Sequence, residues 1–456
     1  MKLQNYYKFS RKGINILIDI PSGAVHVIDK ITDEIINQLE KGVKAEELVN
    51  VLKDYPQHEV KGALKELQEL VEKNCLFTED KGVEITKPNA NIVKALCLHV
   101  AHDCNMRCKY CFASSGHFGG QRTLMDIEIA KKAVDFILEK SGPRKNCEID
   151  FFGGEPLMNF PLIKEVITYA REREKEYNKH IRFTLTTNGL ALTKEVQDFV
   201  NEHGLSTVLS LDGRKEVNDN MRKTVQGEGT YEHIIEKYRE FIQSRNNRNY
   251  YVRGTYTAEN LDFAEDVKHI VDQGFSEVSV EPVVVTEDKG YALTFQHLDK
   301  LKEEYWKLTD IYLEYYEKGK PFNFFHFNIN IDGGPCAAKR VSGCGAGVEY
   351  LAIDPQGDIY PCHQFVGNKE FIMGNLNTIF TGDKIKETFL QSSLFEKEDC
   401  KQCWARYYCG GGCHANAYLY NKDLKKPYKL GCELQKIRTE CSLYIEAVKA
   451  INKILK

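Results

Sequence analysis

Apolar positions change rhythm three times along the chain. Residues 1–90 begin with short β-rich runs, Tyr6–Phe9, Ile14–Ile18 and Ala24–Ile28, parted by Arg11–Gly13 and Pro21–Gly23. Helical spacing follows: Thr32 is placed to cap a helix through Leu39 that Gly42 stops, and Ala45–Tyr55 and Val60–Asn74 repeat apolar residues every three or four positions. Strands followed by three short helices predict a winged-helix-like module. From Lys94 the pattern alternates. Apolar β-rich runs at Ala95–Ala101, Ile149–Phe152, Ile181–Thr187, Thr207–Leu211, Tyr250–Thr257 and Val278–Val284 are separated by amphipathic stretches such as Ile127–Lys140, Leu162–Tyr177 and Tyr231–Ser244. Repeated strand–helix units predict an α/β fold, a parallel sheet curled into a partial (β/α)6 TIM-like barrel with its chemistry at the C-terminal strand ends. Residues 311–343, with Phe322, Phe324, Phe325 and Phe327, read as a bridge into a cysteine-rich region over 344–432, and 433–456 as a C-terminal helix.

Bulk composition changes this picture little. The chain of 456 residues has a formal net charge of -4, with 42% hydrophobic and 28% charged residues. That balance offers no polyanion-binding surface, and the helix around Glu59–Glu72 lacks the basic face of a recognition helix, so nucleic acid is not expected as a partner. No run reaches the ~18 apolar residues of a membrane span and the first residues do not read as a signal peptide, which predicts a cytoplasmic protein without a membrane partner.

Cysteine changes the picture. Of 15 cysteines, three lie between 104 and 111 and eight between 336 and 432. In a reducing compartment such clustering points to metal rather than disulfides. Cys104, Cys108 and Cys111 are spaced C-x3-C-x2-C in a loop directly after the first barrel strand. Three thiolates on a four-iron cube leave one iron open, whereas zinc would want a fourth ligand. Four further motifs end successive strands or follow them: Gly153-Gly154-Glu155-Pro156, Thr187-Asn188-Gly189, Ser210-Leu-Asp212-Gly213, and Asn218-Asp-Asn-Met-Arg222. Downstream, Cys344, Gly357 and Cys362 fit C-x12-G-x4-C, and Cys400, Cys403, Cys409 and Cys413 fit C-x2-C-x5-C-x3-C, with Cys432 after a gap. Gly357 and Gly410-Gly-Gly412 would let backbone approach a bulky cluster closely. A zinc ribbon is the alternative for these hooks. Cys75, Cys97, Cys147 and Cys441 read as buried structural thiols.

In this order the motifs resemble the radical S-adenosylmethionine (SAM) superfamily, and the second cysteine region resembles its SPASM domain. The resemblance implies a SAM-cleaving [4Fe–4S] cluster on Cys104, Cys108 and Cys111. SAM would be contacted by Tyr110, Gly153, Gly154, Glu155 (toward its amino group), Asn188, Ser210 (toward the ribose) and Arg222 (toward its carboxylate), with Arg253 and Glu281 as weaker candidates. It implies two auxiliary [4Fe–4S] clusters: an outer one on Cys400, Cys403, Cys409 and Cys432, and an inner one on Cys344, Cys362 and Cys413, whose fourth ligand is Cys336 or a substrate thiolate. Across essentially the whole chain the text resembles maturases of "six cysteines in forty-five residues" peptides, through Leu96-Cys-Leu-His-Val-Ala-His-Asp-Cys-Asn-Met-Arg-Cys-Lys-Tyr-Cys-Phe-Ala113, His117-Phe-Gly-Gly120 and Cys336-Ala-Ala-Lys-Arg. That family implies a thioether from a cysteine sulfur to a threonine carbon, made through a 5′-deoxyadenosyl radical. It also implies a small cysteine-rich precursor peptide bound by strand addition through residues 1–90, and an electron donor such as flavodoxin or ferredoxin. The rival readings are a sulfatase-maturing enzyme that makes formylglycine, a maturase that forms carbon–carbon crosslinks and, outside the superfamily, a zinc-binding transcription regulator. No catalytic acid or base is assigned; Asp212 and Glu281 lie near strand ends where either could be structural.

Overall fold

Strand β2 (Ile14–Asp19) shows how the N-terminal module joins the rest. It is the central strand of a three-stranded antiparallel sheet between β1 (Tyr6–Arg11) and β3 (Val25–Ile28). Successive side chains of a strand point to opposite faces. Leu17 accordingly enters the module's own core with Ile35, Ile36, Val60 and Leu67, while Ile16 and Ile18 pack into the main core of the chain. In the computed structural model, which describes residues 2–82, 92–331, 341, 343–378 and 380–455, the module is therefore docked on the body of the protein. Tyr7 stacks on Trp404 at 4.0 Å and its hydroxyl donates to Glu440. Arg406 and the Tyr407 hydroxyl both reach Asp80, and Lys12 pairs with Asp310 at 2.7 Å.

The module's helices differ from expectation in two places. The cap of the first, Lys30–Glu40, is Asp29 rather than Thr32: the Asp29 carboxylate accepts from the Thr32 amide at 2.7 Å, so Thr32 lies inside the first turn. The stretch read as a helix over Ala45–Tyr55 is only a 3-10 turn, Ala45–Glu47, and one α-turn, Leu48–Val51. Five residues after Val51, the ring of Pro56 precedes a new helix at Gln57–Glu72, leaving no room for a continuous one.

The body is an eleven-stranded sheet among the described residues. Its parallel core comprises β4 (Ala95–His102), β6 (Asn146–Gly153), β7 (His180–Thr187), β8 (Ser206–Ser210), β9 (Tyr250–Tyr256) and β10 (Glu277–Pro282), in that spatial order. The short β5 (Thr123–Leu124) lies antiparallel to β4. Helices Ile127–Lys140, Phe160–Glu176, Lys194–Glu202, Tyr231–Ser244 and Phe263–Asp272 connect the strands. The apolar runs become strands because both faces are covered: helices on the outside and side chains in the lumen.

Two parallel strands extend the six expected, one on each side. β11 (Asn323–Phe324), inside the region read as a bridge, pairs parallel with β10. β12 (Tyr350–Ile353), from the cysteine-rich region, pairs parallel with β4 on the opposite side. It continues antiparallel into β13 (Asp358–Tyr360) and β14 (Gly374–Asn375). The sheet remains open, a partial barrel, and the cysteine-rich region grows directly from its first strand. The closing helix starts earlier than expected, at Lys429, so Cys432 lies in its first turn. No helix of the described residues is long and apolar enough to cross a membrane.

Candidate functional site

β4 is buried along its whole length and delivers its last residue, His102, to the start of the cysteine loop. The loop is held from below by backbone. The Gly154 amide donates to the Ala101 carbonyl at 2.8 Å and the Glu155 amide to Asp103 at 2.9 Å. Both glycines are required by contact: a Cβ at Gly153 would lie 2.2 Å from the Ala101 oxygen, and one at Gly154 2.2 Å from the Asp103 oxygen. Gly154→Ala is expected to push Asp103, and Cys104 with it, out of place. Overpacking of this kind costs ~1–3 kcal/mol; the fall in thermal stability should be accompanied by loss of bound iron in a colorimetric assay. On its other side the loop is pinned to residues 221–224, through Arg107 N to Lys223 O at 2.7 Å and Lys109 N to Met221 O at 2.9 Å.

Cys104, Cys108 and Cys111 are brought together: each of the first two feels the charge of Cys111, and Cys104 that of Cys108. Burial pushes the Cys104 thiol up to about 12 and Cys108 to about 11, with mutual repulsion adding to it. Three half-buried thiols that repel as thiolates are a donor set that needs a cationic centre. Sulfur acceptors are already served, since the Met106 amide points to Cys104 Sγ at 3.4 Å and Asn188 Nδ2 at 3.6 Å. Around the loop, Arg222 is buried and its Nε has no hydrogen-bond partner among the described residues. These features fit a cluster with SAM beside it.

The candidate SAM-contact residues divide into two groups. Gly153 and Gly154 frame the loop, the Ser210 side chain is half-buried on the lumen-facing register of β8, and Arg222 adjoins the loop. Glu155 and Tyr110 also have partners within the protein. Glu155 is 1% exposed, and its carboxylate accepts from Thr187 Oγ1 at 2.8 Å, the Asn188 amide at 2.7 Å and the Leu157 amide at 3.1 Å. Burial raises it to about 7. These bonds tie the ends of β6 and β7 together and aim Asn188, a supporting role beside the SAM contact expected from the motif. The Tyr110 hydroxyl donates to Asp212 at 2.7 Å and accepts from Arg222 Nη1 at 2.7 Å. Asp212, fully buried, also accepts from the Thr255 amide at 3.0 Å. Asp212 thus anchors the cysteine loop to the end of β8. Asn188 donates to Asn105 Oδ1 at 2.8 Å, so its amide is turned onto the loop.

The lumen is polar. Alternation along the strands sends Asp150, Thr184, Ser210, Arg253 and Glu281 to the same face, and Arg253 lies 4.0 Å from Glu281. Glu281 also accepts from His326 Nε2 at 2.9 Å and from Ser279 at 3.0 Å. An aromatic wall joins the two cysteine regions, which the sequence did not reveal. Phe112, beside Cys111, meets His363 at 5.9 Å, and Phe152 meets it at 5.2 Å; His363 follows Cys362. These rings come from three distant segments, so no local pattern announces them.

The second cysteine region separates into two groups. Cys432 feels Cys409, Cys400 and Cys403, while Cys362 feels Cys413 and Cys344. Cys336 lies outside the described residues. No three His, Cys, Asp or Glu side chains among the described residues converge as a single-ion site would require. Gly357 serves a different purpose from the one expected. It sits at φ +84° in the β12–β13 turn, against Ile129 and Asn375, where the left-handed conformation is what selects glycine. Gly410, Gly411 and Gly412, all at positive φ, do lie between Cys409 and Cys413. Of the isolated thiols, Cys97, Cys147 and Cys441 are buried, whereas Cys75 is half-exposed.

Residues 98–268 match the model of the radical SAM superfamily. It is a radical SAM enzyme. Residues 344–404 match the SPASM iron–sulfur cluster-binding domain, so the enzyme depends on iron–sulfur clusters and SAM. It is 24% identical over 460 residues to the radical SAM cyclopropyl synthase TigE of Paramaledivibacter caminithermalis, covering 96% of this chain and 87% of the relative. It is 23% identical over 339 residues to a cysteine-type anaerobic sulfatase-maturating enzyme of Clostridium novyi, covering 69% of this chain and 86% of the other. The fold also aligns with Streptococcus suis SuiB bound to its precursor peptide SuiA, at a TM-score of 0.52 and 16% identity, covering 94% of this chain and all (100%) of that one.

Proposed function

We propose that the enzyme installs a thioether between a cysteine sulfur and a carbon of another residue, threonine in the first instance, within a small ribosomally made cysteine-rich peptide. The observation that carries this reading is the docked N-terminal module. Its β3 has no strand partner on its outer edge among the described residues, and the module contacts the cysteine-rich domain through Trp404 and Arg406. An open edge of this kind suits an extended leader peptide added as a fourth strand, which would place the core of the same peptide at the polar lumen.

In this reading Cys104, Cys108 and Cys111 hold one [4Fe–4S] cluster. Cys400, Cys403, Cys409 and Cys432 hold a second, and Cys344, Cys362 and Cys413 a third, completed by Cys336 or a substrate thiolate. The first cluster and SAM supply one-electron chemistry able to take a hydrogen atom from an unactivated carbon. The chain's own residues do the rest. Gly153 and Gly154 set the loop, Glu155 aims Asn188, Ser210 faces the ribose side, and Arg222 offers its free Nε to the carboxylate. The aromatic wall of Phe112, Phe152 and His363 lies between the first loop and Cys362. Flavodoxin or ferredoxin supplies electrons.

Anaerobic incubation with SAM, reductant and the precursor peptide encoded nearest this gene tests the reading by mass spectrometry. The expected product lacks two hydrogen atoms per crosslink and has one fewer alkylatable thiol for each. Hydrogen loss with every thiol still alkylatable would replace thioether formation by carbon–carbon crosslinking, the reading favoured by the cyclopropyl synthase relative. Loss of sulfur from the substrate would replace it by formylglycine formation.

A further inference from the structure

Lys397 is 1% exposed, among the largest fully buried side chains of the protein. Its ammonium has a single hydrogen bond among the described residues, to the Gly411 carbonyl at 2.7 Å. No carboxylate of the described residues lies within ion-pair distance of it. One neutral carbonyl does not compensate the burial of a full positive charge, which costs several kcal/mol when unpaired. The groups that act on it favourably are Cys400, Cys409, Cys413 and Cys432; against them, burial draws the amine below the ordinary lysine value. His414, the other titratable neighbour, is pushed down to about 4 by its own burial and then by Lys397, and so stays neutral.

The four cysteines come from both groups of the second region, Cys413 from the inner and the others from the outer. The position of Lys397 follows from local structure. Its carbonyl accepts from the Cys400 amide at 2.9 Å at the start of the turn Glu398–Lys401, and its side chain crosses to the glycine run between Cys409 and Cys413. As free thiols these cysteines are neutral and leave the ammonium without an anion. Ligated to iron they are thiolates, and each cluster then carries net negative charge.

We propose that Lys397 is a counter-cation shared by the two auxiliary-cluster sites, raising the reduction potential of the outer cluster and linking its charge state to that of the inner one. The proposal rests on the reading that these cysteines hold iron–sulfur clusters. A fixed positive charge stabilises the reduced, more negative cluster, and net charge and hydrogen bonding are among the quantities that set such potentials. The role is one of positioning charge, since Lys397 need not touch substrate.

The test is an EPR-monitored redox titration of the reconstituted enzyme, preceded by an iron count, on wild type, Lys397→Met and Lys397→Arg. With equal iron in all three, the outer-cluster potential should fall in Lys397→Met. The expected fall changes the reduced-to-oxidised ratio at least tenfold at fixed potential, about 59 mV for one electron, while Lys397→Arg stays within threefold of wild type. If Lys397→Met loses auxiliary iron and Lys397→Arg keeps it, the need for the charge is upheld more directly. Equal potentials in fully loaded wild type and Lys397→Met would overturn the proposal, as would loss of iron from both variants, which would make shape rather than charge the requirement. Zinc in place of auxiliary iron in the wild type would instead remove the cluster reading beneath it, a result visible before any titration.

Discussion

Replacing Cys104, Cys108 and Cys111 together by alanine is expected to abolish SAM cleavage, at least ~10³-fold, and to lower the iron content from about twelve to about eight per chain. Both readouts belong to the anaerobically reconstituted enzyme, 5′-deoxyadenosine release by chromatography and iron by colorimetry. The specificity of the loss follows from how the loop is held. Its position depends chiefly on backbone bonds from Gly154 and Glu155 and on the Tyr110–Asp212 contact, the thiols adding only the long contacts of Met106 and Asn188 to Cys104 Sγ. The alanine variant should therefore keep its fold and its remaining iron. A fall of all the iron together would mean that the cysteine groups form one cooperative structure. Residual SAM cleavage above background would deny this loop the chemistry altogether.

Cleaving the leader from the precursor peptide is expected to lower kcat/KM for the core by ~10²–10⁴-fold, with part of the activity restored by adding the leader in trans. The mechanism is effective concentration. A leader added to the open edge of β3 would hold the core near the lumen, and the lumen would then not need to bind strongly by itself. The docked module strengthens the argument, because Ile16, Ile18, Tyr7 and Asp80 fix its distance from the body, whereas a module swinging on a flexible tether would dilute the effect. Steady-state kinetics with intact and leaderless peptide decide the matter. Equal kcat/KM for the two substrates would separate residues 1–90 from substrate recognition and return weight to a maturase that acts on a protein substrate.

The elements easiest to read ahead of the structure were those whose burial is uniform. Helices Ile127–Lys140 and Tyr231–Ser244 start and stop where their apolar repeats do. The barrel strands are visible as continuous β-branched and aromatic runs because helices and lumen cover both faces. The two groups of the second cysteine region are implied by resemblance, since by spacing alone Cys413 belongs with Cys400, Cys403 and Cys409. Where local signals compete, the reading slipped. Asp29 and Thr32 are both good caps, and only the backbone conformation at Asp29 selects between them. Glycine serves both close approach and positive φ, and the turn at Gly357 needs the second.

By itself, the sequence determined the chemistry that linear spacing can encode. Three cysteines within eight residues, a glycine pair at a strand end and cysteine hooks in one segment each lie close enough in the chain to define a site before any folding. Tertiary structure alone decided what distant segments do to one another. It paired β12 with β4 and so joined the cysteine-rich region to the barrel. It supplied the Glu155 carboxylate with donors from β7 and its neighbours, a supporting role that the motif alone does not encode. It also buried Lys397 among thiols from two groups, where the letter K within a charged stretch gives no hint of burial. The physical reason is the same in each case: burial and partnership are properties of chains brought together, and a residue's charge or hydrogen-bonding capacity acquires its role only from what lies across the contact.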